Sequence, residues 1–404
     1  MNNFDVGIIG AGVAGSLASY KIAKDHKNIK CILFDLGRPP MKRRRQLEGW
    51  LGCLPNSDGK LYLNDVTKVS KLVGTRHINS ANKFFTKLLA KIGKFKINKD
   101  KGPLASLEKR ILKNDYELLL NDYIQLYPKD IHALSKYMAE EIEESGNITF
   151  CFDNEVFSIR KQKGMFIIST ELEEFKCKKI ILAVGRSGWR WAKEIFSNFD
   201  IIDDNDHAKF GIKIEIDSSH MKDFNKSNCT LIKKSHNFEI GPLSWYGTVI
   251  PEDHLDMAIS SFRSNENRWK SDKVSFNLIG NQVFDSKGFE QTDRLAKLTF
   301  VLSNDRILKE KSSSIISGKS KISIIPEYNW IRASLLDLES IIPEVSTKSY
   351  FHVPTIIPSA PAINLGADLC SEIEGMYVVG ESAGIHGILS AALMGIISAD
   401  QICK

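Results

Sequence analysis

His386, Lys60 and Cys53 are the side chains of this 404-residue sequence whose types and settings could move a proton or an electron. His386 lies in Gly384-Ile385-His386-Gly387, just before an apolar helical stretch, where it could polarise a bound ring or a substrate. No second residue beside it completes a general-base pair. Lys60 and Asp58 are the polar candidates in Gly49-Trp50-Leu51-Gly52-Cys53-Leu54-Pro55-Asn56-Ser57-Asp58-Gly59-Lys60-Leu61-Tyr62. The glycines, Pro55 and the Asp58-Gly59 pair make this run a structured loop rather than a helix or strand. Cys53 is either a redox thiol or a packing cysteine, and the loop offers it no partner cysteine. Residues this far apart act together only if a rigid framework brings the loop and the end of the chain to one place.

That framework begins at Asp5-Val6-Gly7-Ile8-Ile9-Gly10-Ala11-Gly12-Val13-Ala14-Gly15, an apolar strand running into a glycine turn and then a helix. Such a unit binds dinucleotides: Gly10 makes the tight turn, Gly12 lets the backbone approach a pyrophosphate, and Gly15 lets helix and strand pack closely. The amides of the first helical turn, at Val13 and Ala14, face the anion. A glycine-rich helix cap with no ligand is the alternative. Against it stands a second apolar strand, Lys30 to Phe34, closed by Asp35, an acidic side chain placed to accept hydrogen bonds from a ribose diol, with Leu36 next to it. Gly37-Arg38-Pro39-Pro40 breaks the pattern. In the cationic run that follows, Lys42-Arg43-Arg44-Arg45, Arg44 is the candidate phosphate contact, and a solvated charge run describes it equally well.

Beyond the loop, Ala81 to Ile92 and Leu104 to Tyr123 read as helices of a scaffold or cap, and Pro128 to Ser145 as a helix with Ile131, Leu134, Met138 and Ile142 on its core face. Ile148 to Phe152, Glu155 to Arg160 and Phe166 to Thr170 read as strands. Ile180-Ile181-Leu182-Ala183-Val184-Gly185-Arg186-Ser187-Gly188 is a buried strand ending in a glycine bend, at the edge of a parallel sheet where ligands bind, which makes Gly185 and Arg186 candidates. From 203 to 350 come short strand candidates, among them Phe210 to Ile216, Trp245 to Ile250, Val274 to Leu278 and Leu298 to Leu302. They suggest a second sheet with a substrate pocket at the domain boundary, for which Trp245, Tyr246, Phe276 and Phe300 are lining or core aromatics. His77, His236 and His254 lack catalytic or metal-ligand partners. The final segment restores the nucleotide pattern: Gly380-Glu381-Ser382-Ala383-Gly384 follows a strand and precedes a helix from Ile388. Glu381 can accept from a cofactor hydroxyl, and the helix can aim free amides at electron-rich ring oxygens.

Composition sets the outer limits. The 43% hydrophobic and 26% charged fractions are those of an ordinary globular chain, long enough for two domains. The formal charge of +6 is modest and spread out, so no nucleic-acid partner is expected. The seven cysteines show no CxxC spacing, which argues against a metal site and fits a reducing cytoplasm. A glycine turn so near the start leaves no room for a signal peptide, and no run of eighteen apolar residues suggests a membrane span.

Together, Gly10-Ala11-Gly12-Val13-Ala14-Gly15, Asn56-Ser57-Asp58-Gly59-Lys60-Leu61, Leu182-Ala183-Val184-Gly185-Arg186-Ser187-Gly188 and Gly380-Glu381-Ser382-Ala383-Gly384 resemble a family of uncharacterised FAD-dependent dehydrogenases, within the glutathione-reductase-like flavoproteins. The resemblance implies an extended FAD, with Asp35 at the adenosine ribose and Glu381 near the ribityl or pyrophosphate portion. It also implies Gly384, Gly387 and Ile388 near the flavin ring, with Ser57, Asp58, Gly59 and Lys60 around it. Two stretches differ from the family's pattern: Trp50-Leu51-Gly52-Cys53-Leu54-Pro55 replaces a denser glycine cluster, and Ile385-His386-Gly387 replaces an aromatic followed by glycines.

The expected fold is α/β: a Rossmann-like three-layer FAD-binding domain from residues 1–65, 128–202 and 351–404, a helical insertion at 66–127, and an inserted, mainly β, α+β substrate domain at 203–350. The expected function is that of an FAD-dependent oxidoreductase acting on a small molecule. Its electron partner is left open between transient NAD(P)H and another donor or acceptor. A flavin-dependent monooxygenase, a nicotinamide-only dehydrogenase and a non-enzymatic FAD-bound or RNA-interacting protein are the alternatives.

Overall fold

The computed structural model describes residues 2–43, 47–201, 207–254, 257–263, 271–283, 288–304, 306–357 and 363–404. Its first sheet is built on Asn2–Ile9, which pairs in parallel with Cys31–Phe34 on one side and Glu174–Leu182 on the other. Ile148–Cys151 extends the sheet in parallel beyond Cys31–Phe34. The far edge of Glu174–Leu182 is shared. Its first half pairs antiparallel with Met165–Thr170, which continues to Val156–Gln162, and its second half pairs in parallel with Met376–Val378.

Cys31–Phe34, Met376–Val378 and the last residues of Asn2–Ile9 and Glu174–Leu182 are buried apolar runs because both faces of the sheet are covered there. Val6, Ile8 and Leu33 share a core with the helices Val13–Asp25, Pro128–Ser145 and Ile388–Ile402. Phe4, Phe34 and Ile180 pack on the other side with Ile195 and Phe196 of the helix Trp189–Asn198. The first and last helices are pressed together, since a Cβ on Gly395 would lie 2.1 Å from the Ala14 carbonyl oxygen.

A second, antiparallel sheet runs in the order Leu308–Lys311, Tyr350–Ile357, His207–Asp217, Lys273–Val283, Phe238–Ile240, Thr230–Lys233 and Glu117–Leu119. Phe210, Ile212, Ile214 and Ile216 alternate into a core closed by Leu335 and Leu338 of the helix Trp330–Leu338. The whole is the expected α/β class, a Rossmann-like sheet joined to a mainly β second part.

The structure corrects three local expectations. The helix placed over Leu104 to Tyr123 is Ala105–Lys113 alone; the chain turns at Asp115, whose φ of 61° no helix continues, and Glu117–Leu119 pairs with Thr230–Lys233. Leu298 to Leu302 belongs to the helix Gly288–Leu302, because Thr292, Leu295, Ala296 and Thr299 are its buried positions, a spacing of three and four rather than two. Trp245 to Ile250 divides into Ser244–Trp245 and Thr248–His254 around Tyr246, which has a φ of 64°.

Gly395→Val would force the first and last helices apart and is expected to destabilise the protein by about 2 kcal/mol or more. Denaturant unfolding measures this, and an unchanged midpoint would show that the close approach is not needed.

Candidate functional site

A cleft of about 630 Å³ opens at the carboxyl end of the parallel strands and is roofed by the second sheet. The glycine turn forms one wall. Gly10 has a φ of +100°, and a Cβ there would lie 2.5 Å from the Ala183 carbonyl oxygen, so the turn admits no side chain. At Gly15 a Cβ would meet the Gly10 carbonyl at 1.8 Å, which places this residue behind the cleft as a packing glycine. Gly12 differs: its Cβ would have nothing nearer than Ala183 O at 3.8 Å, and it faces the cleft. It is also the N-cap of Val13–Asp25, with no side-chain cap and no acidic residue in the first turn, so the amides beyond it point at the space lined by Val13 and Ala14. A second helix does the same from the end of the chain. Gly387, with a φ of +108°, is the N-cap of Ile388–Ile402, again without a side-chain cap, and Gly387 and Ile388 line the same cleft.

Asp35 ties this wall together. Its Oδ2 accepts from the Ala11 amide at 2.6 Å, and its Oδ1 from the amides of Gly37 at 2.7 Å and Gly49 at 2.8 Å. Burial raises its carboxyl above the ordinary value, against the lowering effect of those amides and Arg43. Leu51 N donates to Ala11 O at 2.8 Å, so the loop after the second strand is strapped onto the glycine turn. Leu36 lines the cleft and is half exposed. Arg44 lies outside the described residues; its neighbour Arg43 donates to the Trp50 carbonyl and contributes to the strap.

At the other end the cleft is charged. Arg186 bridges Glu252 at 3.1 Å and Glu381 at 3.3 Å, and His386 Nδ1 lies 3.2 Å from Glu381. Burial would raise the Glu381 carboxyl, but Arg186, then His386, hold it well below the usual carboxylate range. Glu381 in turn keeps Arg186 firmly protonated. Cys53 lines the cleft with its thiol pushed up to about 11 by burial, which keeps it a thiol at neutral pH.

Sequence reasoning missed Lys213. It is 4% exposed, lines the cleft, and stands opposite Asn277 in the antiparallel register. Burial, with Arg186 nearby, lowers its pKa to about 7. The Oδ1 of Asn277, also at the cleft, is buried and has no hydrogen-bond partner among the described residues. Two residues on, on the same strand face, Glu215 contacts His352 at 2.8 Å and Lys309 at 3.0 Å. Burial would raise Glu215, but His352 and Lys309 bring it to about 2. The signal was a Lys-x-Glu at alternate positions of a strand, which reads as a solvated face unless that face is roofed.

The remaining candidates divide. Ser57, Asp58, Gly185 and Gly380 line the cleft. Gly59 sits where a Cβ would be 1.9 Å from Leu126 O, a backbone crossing. Gly384, with a φ of +72°, ends the turn Gly380–Ala383. His386 reaches the cleft through Glu381. Lys60 points away, its Nζ 2.6 Å from Asn228 Oδ1. Phe276 is fully buried core and Phe300 packs against that core, while Trp245 and Tyr246 lie with Lys60 at a separate cavity. Among the described residues no group of three or more His, Cys, Asp or Glu could hold a metal ion, and no helix is long and apolar enough to cross a membrane.

No family model matches the chain. A curated relative, the tRNA uridine 5-carboxymethylaminomethyl modification enzyme MnmG of Mycoplasmopsis synoviae, is 26% identical over 187 residues, covering 46% of this chain and 25% of that protein's length. Among solved structures, glycine oxidase from Geobacillus kaustophilus aligns over 100% of this chain and 95% of its own, at 12% identity and a TM-score of 0.47. L-proline dehydrogenase from P. horikoshii aligns over 99% and 93%, also at 12% identity and 0.47. Likenesses at this level leave the site's chemistry to its own geometry.

Asp35→Ala would leave three amide donors without their acceptor, and is expected to cost about 2 kcal/mol or more, read by thermal unfolding; a change below about 0.5 kcal/mol would remove Asp35 as the organiser. Lys213 binds its proton less tightly than in the unfolded chain. From about 7 up to the ordinary lysine value of 10.5, the unfolded state therefore carries more protons, and stability from this group rises with pH. In ligand-free protein, Lys213→Met should flatten that rise, whereas parallel wild-type and variant profiles would refute the shifted lysine.

Proposed function

We propose that the cleft binds FAD and that the protein is an FAD-dependent oxidoreductase, transferring a hydride between flavin N5 and a small organic substrate. The observation that carries this reading is the convergence of two uncapped helix N-termini, one after Gly12 and one after Gly387, on a single cleft. One suits a pyrophosphate and the other the electron-rich edge of a ring. A nicotinamide-only enzyme would use the first and leave the second without a purpose. Gly12 gives backbone access, Asp35 Oδ2 keeps one lone pair free to accept from a ribose hydroxyl, and Asn277 Oδ1 offers an acceptor with no partner among the described residues, so the residues present fit the group.

FAD, when bound, supplies hydride chemistry at N5. The chain's own residues orient and exchange protons. Arg186, Glu252 and Glu381 form a fixed ion-paired block at the ring end. Lys213 Nζ, with a pKa of about 7, can take the proton of a substrate amine or hydroxyl as the adjacent carbon gives up its hydride, or return it in the reverse direction. His386 is a positioning residue that holds Glu381. The electron partner, NAD(P)H or another small donor or acceptor, would reach the cleft between the sheets, in a cytoplasmic setting.

Gly12→Val tests the reading cleanly, because the new side chain would enter the cleft and strain nothing behind it. Wild-type protein reconstituted with FAD should show a bound-flavin absorption spectrum, and the variant should bind at least about tenfold more weakly, the equivalent of about 1.4 kcal/mol. No retained flavin in the wild type, or equal affinity in the two, would overturn it.

A further inference from the structure

A second cavity, of about 500 Å³, lies on the far side of the Asp58-Gly59-Lys60 segment from the cleft. Lys60, Lys94, Lys96, Lys129 and Lys226 surround it, and among its lining residues Asp130 is the sole carboxylate. That carboxylate is turned aside: Asp130 Oδ2 accepts from the Tyr127 amide at 2.9 Å as the cap of Pro128–Ser145. Lys60 is the buried member, with a side chain 9% exposed, its Nζ 3.6 Å from Asp58 and 5.4 Å from the Tyr123 ring centroid. Burial pushes its pKa below the ordinary lysine value, a cost that an arriving anion would offset.

Flat rings complete the wall. Tyr123, Trp245 and Tyr246 all line the cavity, and Lys226 Nζ lies 5.7 Å from the centroid of the Tyr246 ring. Lys226 and Tyr246 both have left-handed backbones, with φ of 57° and 64°. Such conformations cost free energy in residues with side chains and concentrate where a side chain must be aimed at a ligand. Cations beside aromatic faces, in a cavity the size of a small ligand, match a phosphate joined to a planar base.

We propose that this cavity is a second binding site, for a free nucleotide, with phosphates at Lys60, Lys94 and Lys226 and the base against Tyr246 and Trp245. It shares no lining residue with the cleft, and two of its own lining residues, Lys60 and Gln125, contact Asp58 behind it.

The test is titration calorimetry on FAD-saturated protein with ADP, adenosine, inorganic pyrophosphate and a short single-stranded RNA as probes. ADP should bind at least about tenfold more tightly than either adenosine or pyrophosphate, and Lys94→Glu/Lys226→Glu should weaken ADP by about tenfold or more without altering flavin retention or the unfolding midpoint. Both positions are exposed, so the fold should tolerate the charge reversal. Pyrophosphate binding as well as ADP, an unaffected double variant, or RNA binding far more tightly than ADP would each overturn the proposal. If the protein retains no FAD, the same titration with Gly12→Val separates the sites: ADP lost there marks the cleft and overturns the second site, while ADP retained there and lost in the lysine variant supports it.

Discussion

The structure depends on a backbone contact that leaves no room for side chains. The turn at Gly10 rests against Ala183, and the first helix rests against the last at Ala14 and Gly395. Any methyl group at Gly10 or Gly395 would separate the pieces. Their closeness aims both helix ends at one volume, although Gly12 and Gly387 lie near opposite ends of the sequence. An isolated helix N-terminus attracts an anion by roughly 0.3–1 kcal/mol at a solvated surface. Two such ends inside a partly enclosed cleft work at lower dielectric, where the same partial charges count for more.

Carboxylates outnumber cations along that cleft, and its arginine at the ion-paired block is already engaged. Arg186 is held by Glu252 and Glu381, and burial discourages the charge on Lys213. The attraction for an anionic ligand therefore falls mainly to fixed amides, which need no reorganisation when the ligand arrives. The lysine is left to respond to protons. Glu215, His352 and Lys309 stand behind this arrangement and pin the neighbouring strand Tyr350–Ile357, whose Thr355, Ile356 and Ile357 form part of the roof.

The glycine turn, Asp35, the strand ending before Gly185 and the return at Gly380 were legible in the sequence because each is a local constraint: a turn, a close approach, a helix start. Lys213 was not legible, since a lysine at an alternate strand position ordinarily faces water, and only the long-range stacking of two sheets buries it. Lys60 shows the reverse failure. Its loop neighbours Ser57 and Asp58 do line the cleft, but the three-residue strand Lys60–Tyr62 pairs with Tyr123–Gln125 and carries its lysine to the opposite side. The Leu298 to Leu302 error has a similar origin, because a short apolar run carries no period until its buried neighbours at Thr292 and Leu295 are known.

Asp65 connects the two ends of the chain in a way no motif records. Its carboxylate oxygen occupies the place a Cβ on Gly387 would need, at 2.4 Å, and its carbonyl accepts from Ser390 Oγ at 2.8 Å. Burial raises its carboxyl to about 6, against the opposing pull of His386. A carboxyl beside a helix N-terminus is ordinarily stabilised in its charged form, so burial here outweighs the helix. The glycine at 387 is thus required twice over, for its left-handed backbone and for the space Asp65 fills. The segment after the strap loop and the last helix are locked together at the point where that helix opens onto the cleft.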